Sequence, residues 1–406
     1  MSEKIRILGA SKTEPGPQGS MGATSEGIGS KETAPAIPIL SPATGVHAID
    51  EARLDDWLAR HLEGFGRGLD IRQFEGGQSN PTYLIESPKR RVVLRKKPPG
   101  MLLPTAHRIE REYRILSSLA LTEVPVPAVL GLCEDDSVIG TAFYLMDYLD
   151  GRVFVDPRLP RVSVAERRAL ILAAAAGLAA IHSVDIEKAG LLDLVRPGDY
   201  LGRQLRRWTK QYEASRTDDI KIMDRLAEYL QDYYIEYLSG APDSTTIFEK
   251  MRRASLVHGD YRLGNLLFAL HEPRLIGVLD WELATVGDPL ADLAYVCMAF
   301  HHDVPGYSML ESPGRAITGI PDEHEIIEHY LKGRGLEGAP SNETFEKTSM
   351  RIPHWNFYLA FSCFRFAAIL QGVYRRGLDG NAASGESLSK REMVRTFAES
   401  GYRLCL

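Results

Sequence analysis

The sequence predicts an α+β chain in two lobes, a small β-rich N-terminal lobe and a larger, mainly helical C-terminal lobe. Three observations carry this. The chain has 406 residues, long for one domain and enough for two lobes sharing a cleft. Residues 70–148 hold short β-patterned runs separated by Gly, Pro and Ser turns, with one helical run among them. After Gly151 the apolar spacing becomes largely helical.

Residues 1–47 are rich in Gly, Ser, Thr, Pro and Glu and poor in aromatics. They bury too little apolar surface to offset ordering, so a flexible tail is expected. Order is expected to begin near Ala48. Asp50 is placed to cap a helix carrying Leu54, Trp57, Leu58 and Leu62 at helical spacing. The N-terminal lobe, 48–148, continues with a strand at Ile71–Phe74 and the loop Glu75-Gly76-Gly77-Gln78-Ser79-Asn80. A hairpin follows, Thr82–Glu86 and Arg91–Lys96, turning at Ser87-Pro88-Lys89-Arg90. Then come a helix from about Thr105 to Leu119, an extended Val124-Pro125-Val126-Pro127, and a strand Ala142–Met146.

The C-terminal lobe, 149–406, opens with a helix over Ala165–His182 that puts Leu170, Ala174, Leu178 and Ile181 on one face. Two more helices fit residues 200–240. Short strands fit Leu256–Gly287, and Pro353–Arg375 reads as a buried aromatic helix. No internal repeat is visible.

Composition excludes several classes. A net charge of −6 argues against nonspecific nucleic-acid binding. No apolar run reads as long enough to span a membrane, and the N-terminus lacks the apolar centre of a secretory signal. The four cysteines have no paired spacing, which argues against zinc and fits free thiols in a reducing cytoplasm. A cytoplasmic monomer or homodimer is the expectation.

The chemistry concentrates in Leu256-Val257-His258-Gly259-Asp260-Tyr261-Arg262-Leu263-Gly264-Asn265-Leu266-Leu267-Phe268, followed by Val278-Leu279-Asp280-Trp281-Glu282. Phosphoryl transfer needs a carboxylate to orient the attacking hydroxyl and accept its proton. It also needs hard oxygen ligands for Mg²⁺. Asp260 suits the first task; Asn265 and Asp280 suit the second. A hairpin between them returns Asp280 to the same pocket.

HGDxxxxN followed by LDW resembles the Brenner motif and metal-binding aspartate of aminoglycoside phosphotransferases, choline kinases and their relatives. The resemblance implies a two-lobed protein-kinase-like fold that binds ATP and Mg²⁺. It implies that Gly76, Gly77, Gln78, Ser79 and Asn80 cover the phosphates. The phosphate-pairing cation falls on Arg95, with Lys96 an alternative, and Glu112 is its helix partner. Met146–Leu149, Tyr148 included, resembles the linker that hydrogen-bonds adenine. Asp292 resembles the aspartate that braces the catalytic loop. His258 and Asp288 read as structural support.

The runs Leu94–Gly100 and Arg108–Tyr113 look more like the kinase-like domains of acyl-CoA dehydrogenase family members 10 and 11 than like resistance enzymes. That resemblance implies a hydroxyacyl-CoA or hydroxy-acid acceptor, with an aminoglycoside or amino-alcohol acceptor, or an inactive nucleotide-binding module, as alternatives. Arg203, Arg206, Arg207 and Lys210 share one helix face, a solvated basic face or a grip for CoA phosphates. Arg262 stands ready beside Asp260.

Overall fold

The computed structural model describes residues 40–45, 48–65, 68–74, 80–98, 109–239, 247–312, 314–336, 352–379 and 390–406. The loop residues Gly76, Gly77, Gln78 and Ser79 lie outside this set.

The N-terminal lobe is an antiparallel sheet with helices on both faces. Its elements are β1 (Leu40–Pro42), α1 (Glu51–His61), β2 (Asp70–Phe74), β3 (Thr82–Glu86), β4 (Arg91–Lys96), α2 (Ile109–Leu119), β5 (Val129–Cys133), α3 (Asp136–Ile139) and β6 (Phe143–Asp147). The strand order is β1-β2-β3-β4-β6-β5. Asp50 caps α1, accepting from the Arg53 N–H at 3.1 Å. Leu54, Trp57 and Leu58 of α1 bury one sheet face together with Tyr83, Ile85, Val92, Leu94, Phe143 and Leu145. Val93, Tyr144 and Met146 belong to the main core, with Ile115, Leu116 and Leu119 of α2. Period-two alternation on β4 therefore sends Arg95 toward α2 and Lys96 toward the α1 side. Lys96 lies 5.2 Å from the Tyr83 ring centroid.

The N-terminal stretch expected to be a flexible tail holds a strand instead at Leu40–Pro42, paired antiparallel with β2. The edge of β2 offers backbone donors and acceptors, which order a segment that has little apolar surface of its own.

The C-terminal lobe begins with β7 (Gly151–Val153) and α4 (Val164–His182). Ser163 caps α4, accepting from the Glu166 N–H at 3.2 Å. Next come α5 (Tyr200–Ser215), α6 (Lys221–Tyr233), α7 (Ile247–Arg252), β8 (Ser255–Val257), β9 (Leu266–Ala269), β10 (Leu275–Val278), β11 (Thr285–Gly287), α8 (Leu290–Cys297), α9 (Glu323–Gly333), α10 (Trp355–Leu378) and α11 (Lys390–Arg403). Strand β9 lies between β10 and β7, and β8 pairs with β11. Gly177 on α4 lets this strand region approach closely. A Cβ there would sit 2.3 Å from Leu275 and 2.7 Å from the Tyr261 hydroxyl.

Helix α10 corrects one expectation. It is long and apolar enough to cross a membrane, yet 83% of its most apolar window is buried within the fold. It packs against α5, α6, α8 and α11, so its apolarity serves the core.

The core also carries a pH dependence. His302 is buried, accepts from the Val304 N–H at 3.3 Å and stacks edge-on against Phe397. Burial lowers its pKa from 6.5 to about 4. As pH falls, the unfolded chain takes up this proton first, so stability is full above pH 6.5 and is lost toward pH 4. His302 alone is expected to cost about 2 kcal/mol at pH 5. Burial lowers His182 and His354 too, and both act with the same sign. The urea midpoint is expected to drop between pH 7.5 and pH 5, and His302→Asn is expected to narrow the drop. An unchanged drop would assign the response to other groups.

Candidate active site

The catalytic loop runs from the end of β8 to the start of β9. At its head, Asp292 on α8 is fully buried and holds two backbone N–H groups, His258 at 2.7 Å and Gly259 at 3.0 Å. His182 Nε2 lies 3.5 Å from the same carboxylate, and its Nδ1 is 2.7 Å from the Tyr330 hydroxyl. Burial alone would raise the Asp292 pKa. The His182 hydrogen bond and the electrostatic attraction of the surrounding groups, Arg365 among them, outweigh burial and keep it below the usual carboxylate value. Asp292 is therefore an ionised anchor for the loop.

His258 accepts from the Asp260 N–H at Nδ1 (3.2 Å), so Nε2 carries the proton and donates to Leu279 O at 3.0 Å. This ring ties the catalytic loop to the strand end that presents Asp280 and has no contact assigned to a reacting group. Gly259 has φ +84°, and a Cβ there would sit 3.0 Å from the Leu283 backbone. Only glycine fits this tight turn without strain. Asp288 is also a brace, holding Arg252 at 2.9 Å and the Tyr358 hydroxyl at 2.7 Å.

The Asp260 carboxylate faces the cleft with both oxygens oriented. Oδ1 accepts from the Tyr295 hydroxyl at 2.9 Å, and Oδ2 from Asn265 Nδ2 at 2.9 Å. Arg262 Nε stands 3.3 Å from Oδ2. Asn265 Nδ2 also donates to the Asp260 backbone carbonyl at 2.9 Å. The Asn265 amide nitrogen is thus committed to Asp260, which turns its Oδ1 into the oxygen a cation would find.

Asp280 is delivered to the same place. The Leu279 N–H donates to Asn265 O at 2.9 Å. Asp280 itself sits in the left-handed region, φ 66° and ψ 66°, a sparsely populated conformation that marks functional sites. Its Oδ1 accepts from Arg95 at 2.6 Å.

Arg95 is the hub of the cleft. Its guanidinium lies 3.1 Å from Glu112, 2.6 Å from Asp280 and 3.9 Å from Glu282. Burial works against its charge, but Glu112, Tyr144 and Asp280 outweigh that and raise its pKa. Glu112 also accepts from the Trp281 N–H at 3.2 Å. Burial pushes its pKa up to about 7, and Arg95 opposes the rise. Three carboxylates surround one guanidinium. Asp280, with the Asn265 carbonyl oxygen, offers hard oxygen donors of the kind a divalent cation such as Mg²⁺ takes. No group of three His, Cys, Asp or Glu side chains among the described residues is placed to hold a metal ion by itself.

The structure places the other expected residues as follows. Asn80 is buried, with Nδ2 3.5 Å from Glu282. Met146 faces the core between the lobes. Tyr148 lies under the Arg91 guanidinium at 4.5 Å. Arg203 lies at the start of α5. Its guanidinium folds back onto the carbonyls of Arg196, Pro197 and Gly198. Those carbonyls precede α5 and engage one guanidinium nitrogen, Nη1. Arg207 remains on the α5 surface, beside the Trp208 ring at 5.1 Å. The acidic residues Asp218, Asp219 and Asp224 are paired with Arg391 and Arg216.

Two residues of the site escaped the sequence reading. Tyr295 orients Asp260. It lies three residues after Asp292 on one helix, so the spacing shared by the brace and the base was the available signal. Arg365 donates to the Gly259 carbonyl and stacks near the Trp208 and Tyr295 rings at 5.3 and 5.1 Å. A single charge in the aromatic run of α10 was its signal, since buried charges need partners.

Beside the loop is a pocket of about 280 Å³. Ala174, Ala175 and Leu178 of α4, Val296 of α8, Ala299 and Phe366 form apolar walls, and Arg262, Leu263, Gly264 and Tyr295 bring in the catalytic loop. No Asp or Glu lines it among the described residues.

A two-lobed fold, a loop carrying an oriented carboxylate, and the oxygen donors of Asn265 and Asp280 beside it define a kinase-like small-molecule phosphotransferase. Residues 70–316 match the model of the phosphotransferase enzyme family, and the chain belongs to that family. It is 41% identical over 366 residues to mouse acyl-CoA dehydrogenase family member 10, covering 89% of this chain and 32% of that protein. It is 38% identical over 362 residues to human family member 11, covering 88% of this chain and 43% of that protein. The chain thus spans less than half the length of these relatives.

A Ralstonia eutropha JMP134 protein, named by inference an aminoglycoside phosphotransferase, superposes with TM-score 0.71 at 41% identity, over 88% of this chain and 98% of that one. Choline kinase of Cryptosporidium parvum superposes with TM-score 0.61 at 12% identity, over 87% and 96% of the two chains. A thermostable mutant of an aminoglycoside phosphotransferase, solved in a ternary complex with AMP-PNP and hygromycin B, superposes with TM-score 0.52 at 16% identity, over 86% and 98%. The last two likenesses are of fold.

Proposed function

We propose that this small-molecule kinase transfers the γ-phosphoryl group of ATP, with Mg²⁺, to a hydroxyl of a hydroxyacyl-CoA or related hydroxy acid. The observation that carries the reading is the Asp260 carboxylate, oriented by Tyr295 and Asn265 and adjacent to the Asn265–Asp280 oxygen site.

In the reaction, Asp260 orients the acceptor hydroxyl and takes its proton. The hydroxyl oxygen bonds to the γ-phosphorus as the bond to the β-phosphate oxygen breaks. Asn265 Oδ1 and Asp280 would hold Mg²⁺, which when bound neutralises charge on the phosphates. Arg95 sits where a cation is needed near the phosphates, kept in place by Glu112. Membership of the phosphotransferase family supports a nucleoside triphosphate such as ATP as donor.

The acceptor rests on two supports. The relatives are named as acyl-CoA dehydrogenase family members. The pocket beside Asp260 has no carboxylate among its described residues, an unfavourable wall for a polycationic antibiotic. We place the protein in the cytoplasm as a monomer or homodimer. Its four cysteines are free thiols, in keeping with a reducing compartment.

Incubation with ATP, Mg²⁺ and a mixture of a 4-hydroxyacyl-CoA, choline and kanamycin tests the acceptor. Mass spectrometry is expected to find the phosphate on the hydroxyacyl-CoA. Phosphate on choline or kanamycin, with the thioester untouched, would overturn the substrate assignment.

A further inference from the structure

We infer that the apolar pocket beside Asp260 receives the carbon chain of the acceptor beyond its reactive hydroxyl, and so measures chain length. The inference rests on the phosphotransfer reading only in placing the hydroxyl at Asp260.

The pocket and the base share residues. Tyr295 donates to Asp260 Oδ1 and also lines the pocket. Arg262 lies 3.3 Å from Oδ2 and lines it as well. A hydroxyl at Asp260 therefore stands at the edge of an apolar volume. Two of the wall hydroxyls are already engaged. The Tyr261 hydroxyl donates to Ala174 O at 2.7 Å, and the Tyr295 hydroxyl is spent on Asp260. An occupant thus meets a largely hydrocarbon surface, which favours an alkyl chain over a sugar or an amine.

Small side chains make the space. Ala174 and Ala175 of α4 face Val296 of α8 and Ala299, and Phe366 packs from α10. Val155, more than half exposed, lies at the rim. An apolar cavity of roughly 150 Å³ accommodates benzene, about 25 Å³ per carbon. On that scale, 280 Å³ holds a chain on the order of ten carbons. Each methylene that enters is expected to tighten binding about fourfold.

The test uses hydroxyl-free acyl-CoAs from butanoyl to hexadecanoyl, which bind without turnover. Their dissociation constants are measured by calorimetry on the full chain. Affinity is expected to rise about fourfold per methylene and then level off. Val296→Phe, a half-buried position, is expected to bring the plateau to shorter chains. Val155→Phe, at an exposed position, provides the same test with little demand on folding. Affinity independent of chain length overturns the inference, as does a plateau that neither substitution moves. The outcome is separable from the phosphotransfer reading. A flat series with phosphorylated hydroxyacyl-CoA removes the chain pocket and leaves the kinase assignment. A rising, saturating series with no phosphorylated hydroxyacyl-CoA keeps the pocket and removes the acceptor assignment.

Discussion

Asp260→Asn abolishes phosphoryl transfer while sparing the fold and nucleotide binding. Asparagine keeps the shape and loses the basic oxygen. A positioned general base contributes about 10²–10⁴ in rate, so kcat is expected to fall about a thousandfold. The fold survives because the loop hangs on Asp292, which holds the His258 and Gly259 N–H groups independently of Asp260. The new amide can still accept from either the Tyr295 hydroxyl or Asn265, so the stability cost is about 1 kcal/mol. On the proposed assignment nucleotide affinity rests on Asp280, Asn265 and Arg95, and it is expected to stay near wild type. Single-turnover assays and nucleotide titration separate the two effects. Wild-type turnover in Asp260→Asn would remove the base from the mechanism.

The second large effect falls on Asp280, where two substitutions divide charge from backbone. Asp280→Asn removes the anionic oxygen but tolerates the left-handed conformation at φ 66°. It is expected to abolish the tightening of ATP binding by Mg²⁺, by roughly a hundredfold or more, because an ion ligand is worth several kcal/mol. Asp280→Ala removes the same ligand and adds about 1–2 kcal/mol of backbone strain. Its midpoint in urea should therefore fall below that of Asp280→Asn, while both lose the Mg²⁺ response. A Mg²⁺ response kept by Asp280→Asn would place the cation elsewhere.

The sequence made some parts of this site readable and hid others for physical reasons. Asp260 and Asn265 lie on one short loop, so spacing alone brought them together, and a two-strand hairpin was enough to return Asp280. The family resemblance pointed to Arg95 and Glu112 and left Lys96 open, since alternation on a strand sends only one of two adjacent side chains into the cleft. The structure turns Arg95 to α2 and Lys96 to the Tyr83 side.

What stayed hidden depends on distant chain segments. β1 takes its order from the edge of β2, and nothing in Leu40–Pro42 itself announces a strand. Helical periodicity put Arg203 on a basic face. It could not show that the long side chain turns back to cap three carbonyls. The pocket is assembled from α4, the catalytic loop, α8, α10 and the segment between them, so no single window of sequence contains it.

The central claim is transfer of phosphate from ATP to a carbon-bound hydroxyl by Asp260. Phosphorus NMR of a reaction containing ATP, Mg²⁺ and a 4-hydroxyacyl-CoA tests it most directly. A phosphate-ester resonance rising in step with ADP, absent with Asp260→Asn, is the expected result. ADP accumulating with inorganic phosphate and no ester would contradict it.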